Sequence, residues 1–188
     1  MNVLYKVLNP DGTPFHGGSG QWSLPTKGDS GAWTPGEWMP TIAGELIPCS
    51  NGYHLCQEAD LLRWLGPAIF EAEYRGDCVN ADNKITVREA RLLRKIESWN
   101  ERTARLFACD CAERVLHLYE ARYPDDDRPR EAIRVARAFA NGAATEDELA
   151  AARDAARAAW DAAWAAGWDD EQEWQTARLS EYLHGEAA

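Results

Sequence analysis

The sequence predicts an α+β protein in which a small N-terminal mixed sheet with long loops is followed by a C-terminal helical bundle. Three observations carry that expectation. Short β-forming runs with period-two alternation are confined to the first half. Helical periodicity with recognisable caps sets in at Trp99 and continues to His184. Composition shifts from a Gly/Pro/Trp-rich stretch between Thr13 and Cys49 to an alanine-rich one after Thr145. The expected division is an α+β module over 1–98 and an acidic helical bundle over 99–188. With 188 residues, 45% of them hydrophobic, and nine tryptophans, the chain has material for a real core.

Val3 to Leu8 is an alternating run of β-formers, closed by Asn9-Pro10-Asp11-Gly12, where proline's fixed φ and glycine's tolerance of positive φ make a turn. The stretch from Thr13 to Cys49 sets Trp22, Trp33, Trp38 and Met39 on a flexible backbone. Such anchors either cap the core of a domain with little regular structure or build a ligand or partner cleft. Asn51-Gly52 reads as a turn, Tyr53 to Cys56 as a short extended piece, and Glu58 to Leu65 as a two-turn helix with Leu61, Leu62 and Leu65 inward, stopped by Gly66-Pro67. Ala68 to Tyr74 alternates, with Ala68, Phe70, Ala72 and Tyr74 on one face and Ile69, Glu71 and Glu73 on the other. Arg75-Gly76-Asp77 is expected to turn the chain and Asp82-Asn83-Lys84 to turn it again. A strand follows from Lys84 to about Leu93, although Arg88 to Ile96 also fits a helix.

Trp99 to Gly142 reads as a long helix, an acidic corner and a second helix. Ala104, Ala108, Cys111, Val115 and Leu118 form an apolar stripe with Phe107 and Tyr119 beside it. Tyr123-Pro124 ends the first helix, Asp125 to Asp127 offer N-cap oxygens, and Pro129 suits the next first turn. Thr145-Glu146-Asp147-Glu148 is a capping box that starts an alanine-rich helix running through Ala166. Trp160, Trp164 and Trp168 stand four apart on one face. Asp169 to His184 is a last amphipathic helix carrying Trp174, Leu179, Tyr182 and Leu183, stopped by Gly185.

The net charge of −11 is unevenly placed. Residues 1–98 carry nine Lys/Arg against twelve Asp/Glu, and 99–188 eleven against nineteen. Such a surface repels phosphates, which disfavours direct nucleic-acid binding, and attracts a protein with a basic face; solubility is the plainer reading of the same charge. No apolar run approaches the roughly 20 residues that span a bilayer, and MNVLYKVLNP lacks the basic start and apolar core of a signal peptide, so a cytoplasmic protein without membrane attachment is expected. Five cysteines, an odd number, fit reduced thiols in that compartment.

Chemical motifs are sparse. Cys49, Cys56 and His54, or Cys109 and Cys111, lack zinc-ribbon or finger spacing, and helix residues two apart point about 200° apart. No metal and no cofactor is expected. His16, His54, His117 and His184 lie outside any nucleophile motif, and no phosphate-cradling glycine motif is present. Glu71-Ala72-Glu73 on a strand, with Tyr5, His16 and His54 upstream, loosely resembles the order of ADP-ribosyltransferases. The alternative catalytic set is therefore Tyr5, His54, Glu71 and Glu73, against the plainer reading of two solvated glutamates on an exposed strand face. The Trp160, Trp164 and Trp168 ridge, followed by Asp169, Asp170 and Glu171, either packs into the bundle or forms a partner-binding hot spot rimmed by charge.

Two resemblances add to this reading. Residues 2–96, through YKVLNPDGTPFHGG, CSNGYHLC, FEAEYRG and DNKITVREARLL, resemble an uncharacterised N-terminal module of phage and prophage proteins. Residues 105–157, through RLFACDCAERVLHLYEARYPDDDRPREAIRVARAFANG, resemble a helical family of immunity proteins of the Imm5-like type. Neither family supplies a catalytic set. The implied function is a phage-associated acidic binding protein that inhibits a bacterial defence or toxin protein by direct contact, its target a bacterial protein with a basic surface. An ADP-ribosyltransferase-like enzyme in residues 1–96 and a structural or assembly accessory are the alternatives, and homo-oligomerisation stays open.

Overall fold

One long hairpin carries the N-terminal unit. The structure, a computed structural model, describes residues 3–152 and 168–187, and the chain divides into two compact units, Met1–Trp99 and Asn100–Ala188. The hairpin pairs β5 (Ala68–Ala81) with β6 (Lys84–Lys95) across a two-residue turn at Asp82-Asn83. Arg75-Gly76-Asp77, expected as a turn, lies inside β5 instead. The register with β6 slips between Arg75 and Cys78 while Gly76 takes a φ of 78°, so these residues form a bulge that bends the strand without reversing it. The ambiguous Arg88 to Ile96 segment is strand through Lys95, and Ala90 and Leu92 are wholly buried at period two.

β1 (Leu4–Leu8) pairs with β5, Leu4 opposite Ala72 and Leu8 opposite Ala68, and β4 (Tyr53–Leu55) pairs with β6, giving the order β1-β5-β6-β4. The fold class is α+β. Each of these pairings is antiparallel, a refinement of the expected mixed sheet, and the two-residue connection admits no other sense for β5 and β6. The sheet curls until its outer strands meet, and Tyr5 and Cys56 exchange backbone hydrogen bonds of 2.9 and 3.0 Å. Leu4, Leu8, Leu55, Phe70, Val87 and Leu92 fill the curl.

The Gly/Pro/Trp-rich stretch closes this core. It contains two very short strands, β2 (Thr26–Lys27) and β3 (Trp33–Thr34), and sends Trp22 and Met39 into the apolar cluster. The backbone N–H groups of Gly36, Met39 and Ile42 donate to the carbonyls of Leu92, Ala90 and Arg88, so irregular chain continues the edge of β6 beyond β4. The expected two-turn helix is a 3-10 helix, Glu58–Trp64, with Leu61 wholly buried and Leu62 and Leu65 half-buried.

In the second unit, α1 (Glu101–Arg122) starts at a capping box in which Asn100 and Thr103 satisfy each other's backbone N–H groups at 3.2 and 2.9 Å. α2 (Arg128–Ala140) follows the acidic corner, where the Asp126 carboxylate accepts from the Arg128 N–H at 3.2 Å and Asp127 makes no side-chain cap. The box at Thr145 and Glu148 is formed, with bonds of 2.8 and 3.3 Å, and starts α3, described over 146–152. α4 (Trp168–His184) buries Leu179, Tyr182 and Leu183 and ends at Gly185, whose φ is 73°.

The stripe expected on α1 is the wrong one. Ala108 is exposed, Leu118 is 38% exposed, and Ala104, Cys111 and Val115 are half-buried. The buried residues are Leu106, Phe107, Cys109, Asp110, Leu116 and Tyr119, which at about 100° per residue centre on the opposite side of the helix. The reason is Asp110: a pattern that counts only apolar residues places a carboxylate in solvent, whereas this one is the polar centre of the inward face.

Candidate functional site

A cavity of about 670 Å³ opens in the N-terminal unit along the seam where β1 and β4 part beyond the Tyr5–Cys56 bridge. Lys6, Trp22, Cys49, Tyr53, His54 and Lys84 supply the chemistry of its wall, and the glycine-rich loop 16–20 borders it. Lys6 stands on β1 between Leu4 and Leu8, on the inward side of the strand. Its Nζ donates to the His54 carbonyl at 3.1 Å and lies 5.1 Å from the centre of the Trp22 ring. Burial pushes its amine down to about 8.

His54 is oriented from behind, because the Cys49 N–H donates to its Nε2 at 3.0 Å. That nitrogen is therefore unprotonated and the neutral ring carries its proton on Nδ1. Burial, then the charges of Lys6 and Lys84, lower the histidine's pKa. Lys84 Nζ donates to Cys49 Sγ at 2.9 Å and lies 5.0 Å from the Trp64 ring. At the mouth, His16 Nε2 donates to the Trp64 carbonyl at 2.7 Å, and Phe15 is 46% exposed. Cys56 is the contrasting thiol, buried and pushed up to about 12, mainly by desolvation.

The alternative catalytic set is divided by the fold. His54 borders the cavity, whereas Tyr5 stands opposite Glu71 in the β1–β5 register, on the strand face away from Lys6, and Glu71 and Glu73 are held across the hairpin. Glu71 takes a two-pronged ion pair from Arg94, with Nε at 2.7 Å, and Glu73 accepts from Arg91 at 2.5 Å. Arg75 bonds Glu89 in the opposite sense, and Trp38 lies against both Arg75 and Arg91, 4.4 and 4.7 Å from their guanidinium carbons. The two glutamates thus form rungs of a cross-strand charge ladder. The Tyr5 hydroxyl donates to Glu58 at 3.0 Å, and burial followed by that bond raises its pKa.

In the helical unit Asp110 is 8% exposed, and its carboxylate accepts from Arg178 Nε at 2.8 Å, the Tyr182 hydroxyl at 2.8 Å and Arg137 at 2.7 Å. Burial works to raise its pKa, but hydrogen bonds from Tyr182, Arg178 and Arg137 outweigh it and hold the carboxyl below its ordinary range. Of the expected partner-binding residues, Trp160 and Trp164 lie outside the described residues. The backbone of Trp168, Asp169 and Asp170 is the first turn of α4, and Glu171 is half-buried, accepting from Arg114 and from Gln175 at 3.0 Å each.

Among the described residues no group of three or more His, Cys, Asp or Glu is placed to hold a metal ion, and no helix is long and apolar enough to cross a membrane. Sequence reading missed Lys6 and Asp110. Each carried a signal, a charge at an inward position of a regular element, but its partners lie far away in sequence: His54 for the first, Arg137, Arg178 and Tyr182 for the second.

Residues 94–173 match the family model described as Imm-5 like putative immunity protein. That match covers the greater part of the helical unit and takes in the last two residues of β6. No curated protein and no solved structure matches the chain.

Proposed function

We propose that the chain is a phage-associated, immunity-type inhibitor that acts by binding a bacterial defence or toxin protein directly. The observation that carries this reading is the match of residues 94–173 to the immunity-protein family model. Charge supports it, because residues 99–188 carry eleven Lys/Arg against nineteen Asp/Glu, and an acidic surface steers a basic protein toward itself. We assign the partner surface to Trp160, Trp164 and Trp168, spaced four apart in the sequence, with the carboxylates Asp169, Asp170 and Glu171 that follow them.

The test is capture from a bacterial host lysate with the full chain as bait, at low and at high salt. A stoichiometric protein released by salt, whose binding falls at least about 30-fold with Trp164→Ala while the melt is unchanged, is the expected result. Absence of a stoichiometric protein would sink the proposal. Transfer of label from a labelled dinucleotide to lysate protein, abolished by Glu71→Gln or Glu73→Gln, would replace it with the enzyme reading.

A further inference from the structure

The cavity of the N-terminal unit differs in electrostatics from the rest of the molecule. The chain holds 31 Asp/Glu against 20 Lys/Arg, and its arginines are repeatedly matched to carboxylates: Arg75 to Glu89, Arg91 to Glu73, Arg94 to Glu71, Arg130 to Glu120, Arg134 to Glu131. The cavity wall contains two lysines, two histidines and no aspartate or glutamate. Among the described residues neither Lys6 nor Lys84 forms an ion pair; the first bonds a carbonyl and the second a thiol. A lysine held that far inside without a counter-ion is costly, and a fold that retains it leaves an anion's place beside it.

Shape and lining narrow the ligand class. A volume of about 670 Å³ falls within the range of small-molecule sites. Trp22 is occupied by the Lys6 ammonium and by the edge of Tyr53, but at the mouth Phe15 is 46% exposed beside His16 and Trp64. The loop at Gly17, Gly18, Ser19 and Gly20 spends none of its backbone N–H groups on other described residues. Positive φ at Gly17 and Gly18, with no atom within 4 Å of where a side chain would begin, leaves that backbone open to a ligand. Lysines on the wall, free amides at the rim and an aromatic ring at the mouth suit a small phosphate ester that carries a flat base.

We propose that this cavity binds a nucleoside phosphate, its phosphate between Lys6 and Lys84 and its base against Phe15. The site lies outside the helical surface assigned to the protein partner, so the two proposals stand or fall separately. The test is calorimetric titration of the full chain with adenosine monophosphate, ribose 5-phosphate and inorganic phosphate. Adenosine monophosphate is expected to bind most tightly, with Lys84→Gln and Lys6→Met each weakening it at least tenfold, Phe15→Ala weakening it severalfold, and Lys27→Gln, outside the cavity, having no effect. Lys84→Gln also guards against a folding artefact, since its melt should match that of the unsubstituted chain. No binding, or binding indifferent to both cavity lysines, would overturn the proposal. Inorganic phosphate binding as tightly as the nucleotide would overturn its aromatic half.

Discussion

Each unit of this chain draws a charge inward, and the two charges are treated differently. On α1, Asp110 is met by two arginines and a tyrosine hydroxyl, all within 2.8 Å, so its charge is satisfied by the protein. On β1, Lys6 receives one carbonyl and the face of Trp22, and lies at the wall of a cavity that contains no carboxylate. A charge with all its partners in place organises packing. A charge with one neutral partner is poised for something from outside.

Deleting each charge breaks or sharpens that comparison, and the largest effect is expected at Asp110. Asp110→Ala should cost roughly 3 to 5 kcal/mol in a denaturant melt, because the buried Tyr182 hydroxyl loses its acceptor and Arg137 and Arg178 lose the carboxylate they share, keeping only the more exposed Glu113 and Glu181. Lys6→Met should leave stability at pH 7 unchanged or raised. The amine's pKa falls to about 8 on folding, so at pH 7 the unfolded chain is favoured by the full penalty of burying the ammonium, which methionine removes. A large loss for Lys6→Met would mean that its bond to the His54 carbonyl is structural and would erase the contrast.

Next in size is the inward face of α1. Leu116→Ala should cost about 2 to 5 kcal/mol, since Leu116 is 7% exposed, whereas Leu118→Ala should cost less than about 1 kcal/mol. Equal losses would restore the stripe read from periodicity.

Acid should separate the units by a smaller margin. His54 is lowered on folding from 6.5 by burial and by Lys6 and Lys84, so its stabilising contribution is complete above pH 6.5 and is lost as the pH falls through its folded value. Asp110 is likewise lowered, from 3.8, so its contribution survives until below that pH. Amide exchange followed residue by residue should show β4 and its neighbours loosening first as the pH drops from 7 to 4, and His54→Gln should abolish that early phase. Simultaneous loosening of α1 would contradict it.

Smallest is the charge ladder. Glu71→Gln or Glu73→Gln should change stability by no more than about 1 kcal/mol, as expected of cross-strand ion pairs near the surface, and a larger loss would show that the ladder, rather than the apolar curl, holds the hairpin.

The sequence by itself determined the class and most local events. Alternation in Leu4–Leu8 and Ala68–Tyr74 marked strands because side-chain direction there depends on the neighbouring residue alone. The box at Thr145/Glu148 fixed a helix start because it is closed within four residues. Tertiary structure decided whatever depended on a distant partner. Arg75-Gly76-Asp77 became a bulge instead of a turn because β6 runs on beside it, supplying Glu89 and Val87 as partners on either side of the slip. The inward face of α1 was set by arginines 27 and 68 residues beyond Asp110, and the cavity by a loop folded back over β1. A buried charge and an open cavity are properties of what surrounds a residue, and spacing along the chain records only what adjoins it.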